Sequence, residues 1–436
     1  MKKRREFLKW TGLSSLSLAA SRIIQSAHGL PLGSSMDAIL FSGKIAGDPQ
    51  QRNIDSGDLS VIGNYGKWAA GLSGDQFPKF SFRRNEWSDI EKWRQAAKQR
   101  VLDRLVVPDV GPLPVVKLIK QYDYDGLQIE ELSWSLPYGR PTEAIVLKPI
   151  NSKGPLPAVL AFHDHGGNKY FGTRKISQTN NRQHPLMIAH QKEYYESRAW
   201  ANELAKMGFV VMISDAFPFA SRRVMLQDVP PLHRHGLTDD DPENPEHIGA
   251  YNNWASEHEH IMAKSLFCAG TTWPGVFFAE DRKALDILCA RNDVDANRIG
   301  CGGLSGGGMR TVFMAGLDER IKCSVCVGFM TTWKDFLLYK SVNHTWMTFV
   351  PLLPAELDFP EILGLRTPMP TMVLNDENDD LYTPAGMRNA EQILREIFRK
   401  AGKPERFKCS YYPGPHKFDK KMQLDAFDWF GKWLKS

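Results

Sequence analysis

The chain has 436 residues, with 42% hydrophobic and 24% charged side chains, an ordinary globular balance; its length calls for one large domain with additions, or two. It has no run of 18 or more apolar residues, which excludes a transmembrane helix. The formal charge of +5 sits in the first 30 residues, which hold six Lys/Arg and one Glu and leave 49 basic and 49 acidic groups, so the neutral body carries no footprint for nucleic acid or an anionic membrane.

Residues 1–30 read as a targeting segment. Arg4-Arg5-Glu6-Phe7-Leu8-Lys9, followed by a weakly apolar stretch from Trp10 to Ala20, resembles a twin-arginine export leader. Export to the periplasm or beyond, with the export machinery as a partner, is the expectation. Ser17-Leu18-Ala19 is an early small-x-small site and nothing near Ala27 is a better one, so cleavage and retention both stay open. Residues 31–110 form an N-terminal extension, with Gly/Ser/Asp-rich loops and a helix from about Trp87 to Leu105. From residue 111 to 436 the pattern changes. Val115–Tyr122, Leu127–Ser135 and Thr142–Lys148 read as a strand meander, broken by Asp123-Tyr124-Asp125-Gly126 and by Pro137-Tyr138-Gly139-Arg140-Pro141. Alternating strands and helices follow: strand Ala158–Phe162, helix Tyr194–Met207, strand Phe209–Asp215 and helix Asp281–Arg291. That rhythm predicts an α/β fold with a doubly wound, mostly parallel sheet and antiparallel lead-in strands. Residues 216–275 interrupt it, and an insertion this long at strand ends is expected to wall an active site. Its Tyr251 and Trp254, with Trp273, either stack on a sugar ring or form the insertion's own small core.

The chemistry is concentrated at strand ends. Pro157–Phe162 is an apolar strand running into His163-Asp164-His165-Gly166-Gly167. Gly303-Leu304-Ser305-Gly306-Gly307 stands between a strand-like Arg298–Gly302 and a helix-like Met309–Ala315, which is the Gly-x-Ser-x-Gly nucleophile elbow in its proper context. A serine hydroxyl needs a base, and the base needs an orienting acid. Strand Pro370–Asn375 leads into Asp376-Glu377-Asn378-Asp379-Asp380, and strand Phe407–Tyr412 leads into Pro413-Gly414-Pro415-His416. Ser305, then Asp379 or Asp380, then His416 is the Ser…Asp…His order of α/β-hydrolases. Asp376 follows its strand too soon and is expected to cap the turn.

Together these segments resemble the α/β-hydrolases of the dienelactone-hydrolase-like, acetyl-xylan-esterase-like branch, over roughly residues 115–436. The resemblance rests on residues 161–169, the elbow through Arg310, Leu317-Asp318-Glu319-Arg320-Ile321 and Gly414-Pro415-His416. It implies carboxylic-ester hydrolysis, often on acylated sugars, without metal or other cofactor. Ser305 would be the nucleophile and His416 the base, with the backbone N–H groups of His165 (or a close neighbour) and Gly306 as the oxyanion hole. Asp379-Asp380-Leu381-Tyr382 is similar to the branch's Asp-x-Leu-aromatic pattern, which favours Asp379 over Asp380.

Rival readings are weighed on the same residues. The His163/His165 pair at a strand end also suits a metal-dependent hydrolase, whereas His233/His235 and His258/His260 read as surface or supporting histidines. A prolyl-oligopeptidase-like serine peptidase shares the elbow, but no propeller-like run of short strands precedes it. A non-catalytic binding protein need not keep all three triad members. Five of the six cysteines lie in apolar runs and read as free thiols; Cys323-Ser324-Val325-Cys326 has redox spacing but lies within a strand.

Overall fold

A computed structural model describes residues 59–74 and 77–436. The leader at 1–30 lies outside the described residues, as do residues 31–58 and 75–76 of the extension. Nine strands form one sheet: β1 (Lys117–Tyr124), β2 (Leu127–Trp134), β3 (Thr142–Pro149), β4 (Leu156–Phe162), β5 (Val210–Ser214), β6 (Val294–Leu304), β7 (Ile321–Val327), β8 (Thr371–Asp376) and β9 (Phe407–Tyr412). Their spatial order is β1-β2-β3-β5-β4-β6-β7-β8-β9. The first three are antiparallel, β3 runs antiparallel to β5, and from β5 to β9 every pair is parallel.

The central parallel strands β4, β5, β7 and β8 are almost wholly buried and mostly apolar because both faces are covered. In β4, Ala158, Leu160 and Phe162 pack into one core, while Val159 and Ala161 pack into the other. In β7 the same alternation sends Cys326 to the first core and Cys323 to the second. The two thiols point to opposite faces, and all six cysteines are free.

The helices are α1 (Tyr65–Gly71), α2 (Ile90–Leu105), α3 (Pro185–Tyr195), α4 (Trp200–Lys206), α5 (Pro245–Glu257), α6 (Glu259–Cys268), α7 (Trp273–Cys289), α8 (Gly306–Leu317), α9 (Trp333–Asp335, continued by a π-helical turn Phe336–Lys340), α10 (Phe359–Gly364), α11 (Pro384–Lys400) and α12 (Lys420–Leu434). Side chains of α2, α7, α8, α10 and α11 fill the first core, and those of α4 and α12 fill the second. Helix α2 of the extension is thus built into the main core: Trp93, Ala97, Val101 and Leu105 are fully buried there, and the Leu105 carbonyl accepts from Thr272 Oγ1 at the start of α7 (2.8 Å).

The helix expected over Tyr194–Met207 is two helices. Glu196 and Ser197 adopt positive φ (53° and 58°) after Tyr195, so α3 ends in a left-handed cap before α4 begins. No helix among the described residues is long and apolar enough to cross a membrane.

Candidate active site

The carboxyl ends of β4, β6, β8 and β9 each carry one part of the candidate site. At the end of β6 the chain reverses into α8 through Ser305, whose φ of 57° and ψ of −119° lie outside the regions open to ordinary residues. Strain of this kind persists only where its surroundings impose it. Here the Ser305 N–H donates to the Val327 carbonyl (2.9 Å). A Cβ on Gly303 or Gly307 would lie 2.3 or 2.4 Å from the Phe162 carbonyl oxygen, so only glycines let the elbow press against β4. Behind it, Arg310 of α8 makes two hydrogen bonds to Asp281 of α7 (2.6 and 3.0 Å), and both side chains are buried.

The loops after β8 and β9 are tied together by the N–H groups of Glu377 and Asn378, which donate to the carbonyls of Tyr412 (2.8 Å) and Gly414 (3.1 Å). They bring His416 Nδ1 to 2.6 Å from Asp379 Oδ2, while Asp379 Oδ1 accepts the Leu381 N–H (3.0 Å). Asp379 is buried. Asp380 is exposed, and it is its backbone carbonyl that is engaged, by Lys340 Nζ and Asn343 Nδ2. The geometry therefore pairs His416 with Asp379. Burial lowers the affinity of His416 for a proton, but the hydrogen bond and charge of Asp379, with Asp376 behind, raise its pKa above the ordinary imidazole value. Its Nε2 is buried without a hydrogen-bond partner. Asp376 accepts the Lys417 N–H through Oδ2 (3.0 Å) and so clamps the turn that presents His416. Burial pushes the Asp376 carboxyl up to about 7.

The loop after β4 faces the elbow. A Cβ on Gly306 would lie 3.0 Å from the His165 nitrogen. The two proposed oxyanion donors, the N–H groups of His165 and Gly306, thus belong to backbones in close contact. The His165 ring points elsewhere. Its Nδ1 accepts the Gly167 N–H (3.1 Å), so Nε2 carries the proton and donates to Glu259 Oε1 (2.7 Å). Glu259, at the start of α6, also pairs with Lys169 Nζ (2.6 Å) and accepts from Thr345 Oγ1 (2.6 Å). Burial opposes its charge, yet His165 and Lys169 hold its carboxyl well below the usual range. The insertion and the segment around residue 345 are thereby fastened to the loop after β4.

A cavity of about 370 Å³ opens over Ser305 and His416. Its wall includes His165, Gly306, Tyr194, Ser256, Glu259, Phe329, Asn343, His344 and Thr345. His344 is held by the Leu381 carbonyl through Nε2 (2.8 Å), and burial lowers its pKa to about 4.

Ser305, His416, Asp379, His165 and Gly306 are therefore brought together, whereas Asp380 is left outside. The aromatic residues of the insertion do not face the cavity. Tyr251 and Trp254 are buried in the insertion's own core, with Tyr251 OH donating to the Val224 carbonyl and Trp254 Nε1 to that of His233 (both 2.8 Å). Trp273 is buried in the main core. His163 Nδ1 donates to the Asp164 carbonyl (3.0 Å), so His163 and His165 serve different partners. Among the described residues, Asp376, Asp379 and His416 are the one group close enough to share a metal ion, and they are the hydrogen-bonded His416–Asp379 pair and the carboxylate that clamps its turn. Glu259, Tyr194, His344 and Thr345 were not anticipated. Glu259 stands inside Ser256-Glu257-His258-Glu259-His260, a polar run with the composition of a solvated surface.

No protein family model matches the chain. Over 345 residues it is 25% identical to the Bacillus subtilis (strain 168) protein named "Putative hydrolase YtaP", which covers 78% of this chain and 100% of that protein. Among solved structures, the "putative acetyl xylan esterase (BF1801)" of Bacteroides fragilis NCTC 9343 superposes with a TM-score of 0.57 at 18% identity, over 79% of this chain and 81% of the other. A glucuronoyl esterase from Solibacter usitatus gives 0.55 at 13% identity, over 81% and 97% of the two chains. The fold is that of the α/β-hydrolases. The antiparallel lead-in, the parallel half and the elbow at the end of β6 are its parts.

Proposed function

We propose that this protein is a serine-dependent carboxylic ester hydrolase that works through an acyl-enzyme. One observation carries the reading: strained Ser305 shares a cavity with the unpartnered Nε2 of His416, whose Nδ1 is held by buried Asp379. In the reaction, Ser305 Oγ bonds to the ester carbonyl carbon while its proton passes to His416 Nε2. The imidazolium so formed is balanced by Asp379. The carbonyl oxygen becomes an oxyanion and accepts hydrogen bonds from the N–H groups of His165 and Gly306, which need no reorganisation as the charge develops. Collapse breaks the bond to the alcohol oxygen, which leaves with the proton from Nε2. Water then attacks the acyl-enzyme by the same steps in reverse.

The substrates in this reading are acylated carbohydrates or similar small esters, reached after export by the twin-arginine route. Ser256, Asn343, His344 and Thr345 give the cavity a polar wall in which, among the described residues, no lysine or arginine stands, which suits a hydroxyl-bearing, uncharged alcohol part. The names of the Bacteroides and Solibacter neighbours, which refer to acetyl xylan and glucuronoyl esters, support the same class. The test is a panel of p-nitrophenyl esters and acetylated sugars, with and without a chelator. Chelator-insensitive turnover is expected, with Ser305→Ala and His416→Ala each lowering it by about 10⁴-fold or more. A folded variant of either kind that kept a tenth of the wild-type rate would overturn the reading.

A further inference from the structure

Lys175 is fully buried, and its ammonium is spent on the loop that faces the nucleophile. Its Nζ donates to the carbonyls of Asp164 and His165 (both 2.8 Å) and lies 3.6 Å from Asp164 Oδ2. The Asp164 carbonyl also accepts from His163 Nδ1, so both its lone-pair directions are used. In a trans peptide the C=O and the following N–H point in opposite directions. Anchoring the Asp164 carbonyl on Lys175 therefore turns the His165 N–H the other way. Gly306 stands against the same peptide: its missing Cβ would lie 3.0 Å from the His165 nitrogen.

From this geometry we infer that Lys175 is a positioning residue for the oxyanion hole, fixing and polarising the His165 N–H from behind. The inference rests on Ser305 being the nucleophile. The ammonium draws electron density toward the carbonyl oxygens, which makes the next N–H a stronger donor in a chain of polarised bonds. The position of Lys175 is itself determined. It ends the short turn Thr173–Lys175, which is pinned by Thr173 N–H donating to Asp215 Oδ1 (2.8 Å), and its Nζ lies 4.8 Å from the centre of the Phe219 ring. On its other side, Asp164 Oδ1 accepts from His190 Nε2 (3.1 Å) and Tyr195 OH, both on α3. A lysine needed only to neutralise Asp164 would place its nitrogen on the carboxylate. Here the shorter contacts go to the two carbonyls.

The experiment compares Lys175→Met with wild type in the full chain, reading kcat and KM for p-nitrophenyl acetate and the inhibition constant of phenylboronic acid, whose tetrahedral serine adduct mimics the oxyanion. The double variant Lys175→Met/Asp164→Asn removes the charge left unpaired and is measured in the same way where the single variant fails to fold. Loss of a single oxyanion donor costs roughly 10²–10³ in kcat. The expected result is a fall in kcat of tenfold or more with KM changed by less than threefold, and a matching weakening of boronate binding. A smaller fall in kcat, a loss expressed in KM, or unchanged boronate binding would overturn the role of Lys175. Ser305→Ala, assayed alongside, separates the two claims. If it retains activity, the hydrolase reading fails. If it is inactive while folded Lys175→Met behaves as wild type, the Lys175 role alone fails.

Discussion

Replacing Asp379 with asparagine leaves shape almost unchanged and reverses one hydrogen-bonding site. Asp379 accepts two hydrogen bonds, from the Leu381 N–H at Oδ1 and from His416 Nδ1 at Oδ2. An asparagine has one acceptor oxygen and one donor nitrogen, so it cannot serve both. If its NH₂ faces Leu381, two donors meet in a buried place. If its NH₂ faces His416, Nδ1 must accept, and the imidazole proton moves to Nε2, where it can no longer take the Ser305 proton. In either orientation the imidazolium loses its counter-charge. Asp379→Asn is therefore expected to lower kcat by about 10⁴-fold with fold and KM largely retained. Asp380→Asn should stay within about threefold, because the exposed Asp380 engages its neighbours through its backbone carbonyl. Steady-state hydrolysis of p-nitrophenyl acetate, with circular dichroism to check folding, reads both variants. Near-normal turnover in Asp379→Asn, or a severe loss in Asp380→Asn alone, would refute the pairing.

Other consequences follow from the same geometry. His416 must be neutral to accept the serine proton, and its pKa is raised, so kcat/KM should climb with pH through a midpoint above 6.5; a midpoint below that value would contradict the Asp379 pairing. Arg310→Met strands the buried Asp281 carboxylate behind the elbow and should cost about 3–5 kcal/mol in urea unfolding; a change under about 1 kcal/mol would show that the pair carries no such burden. Arg4→Lys combined with Arg5→Lys should hold active enzyme in the cytoplasm, and undiminished periplasmic activity would rule out the twin-arginine route.

Much of the fold was legible because its central strands β4, β5, β7 and β8 are buried on both faces and therefore mostly apolar. Phe407–Tyr412 matches its expected bounds, and the other strands named from the sequence shift by a few residues. Ser305 and His416 were legible for a different reason: each follows a strand and sits among glycines or prolines that favour a sharp turn. What escaped has no local signature. Lys175, in Gly172-Thr173-Arg174-Lys175, looks like any surface lysine, and it is buried where it meets carbonyls ten and eleven positions away in the chain. Glu259 is concealed by the histidines and acids around it. The helix break at Glu196 and Ser197 involves no glycine or proline, so composition gave no warning. Tyr251 and Trp254 suited both roles open to aromatic residues, and the insertion needed a core of its own.

The central claim is that Ser305 forms the covalent bond to the acyl group. Intact-protein and peptide mass spectrometry after brief exposure to a fluorophosphonate tests it most directly. The account predicts one adduct per chain, on the peptide carrying Ser305, lost in Ser305→Ala and greatly slowed in His416→Ala. An adduct on another residue, or ester turnover surviving while Ser305 is fully modified, would contradict it.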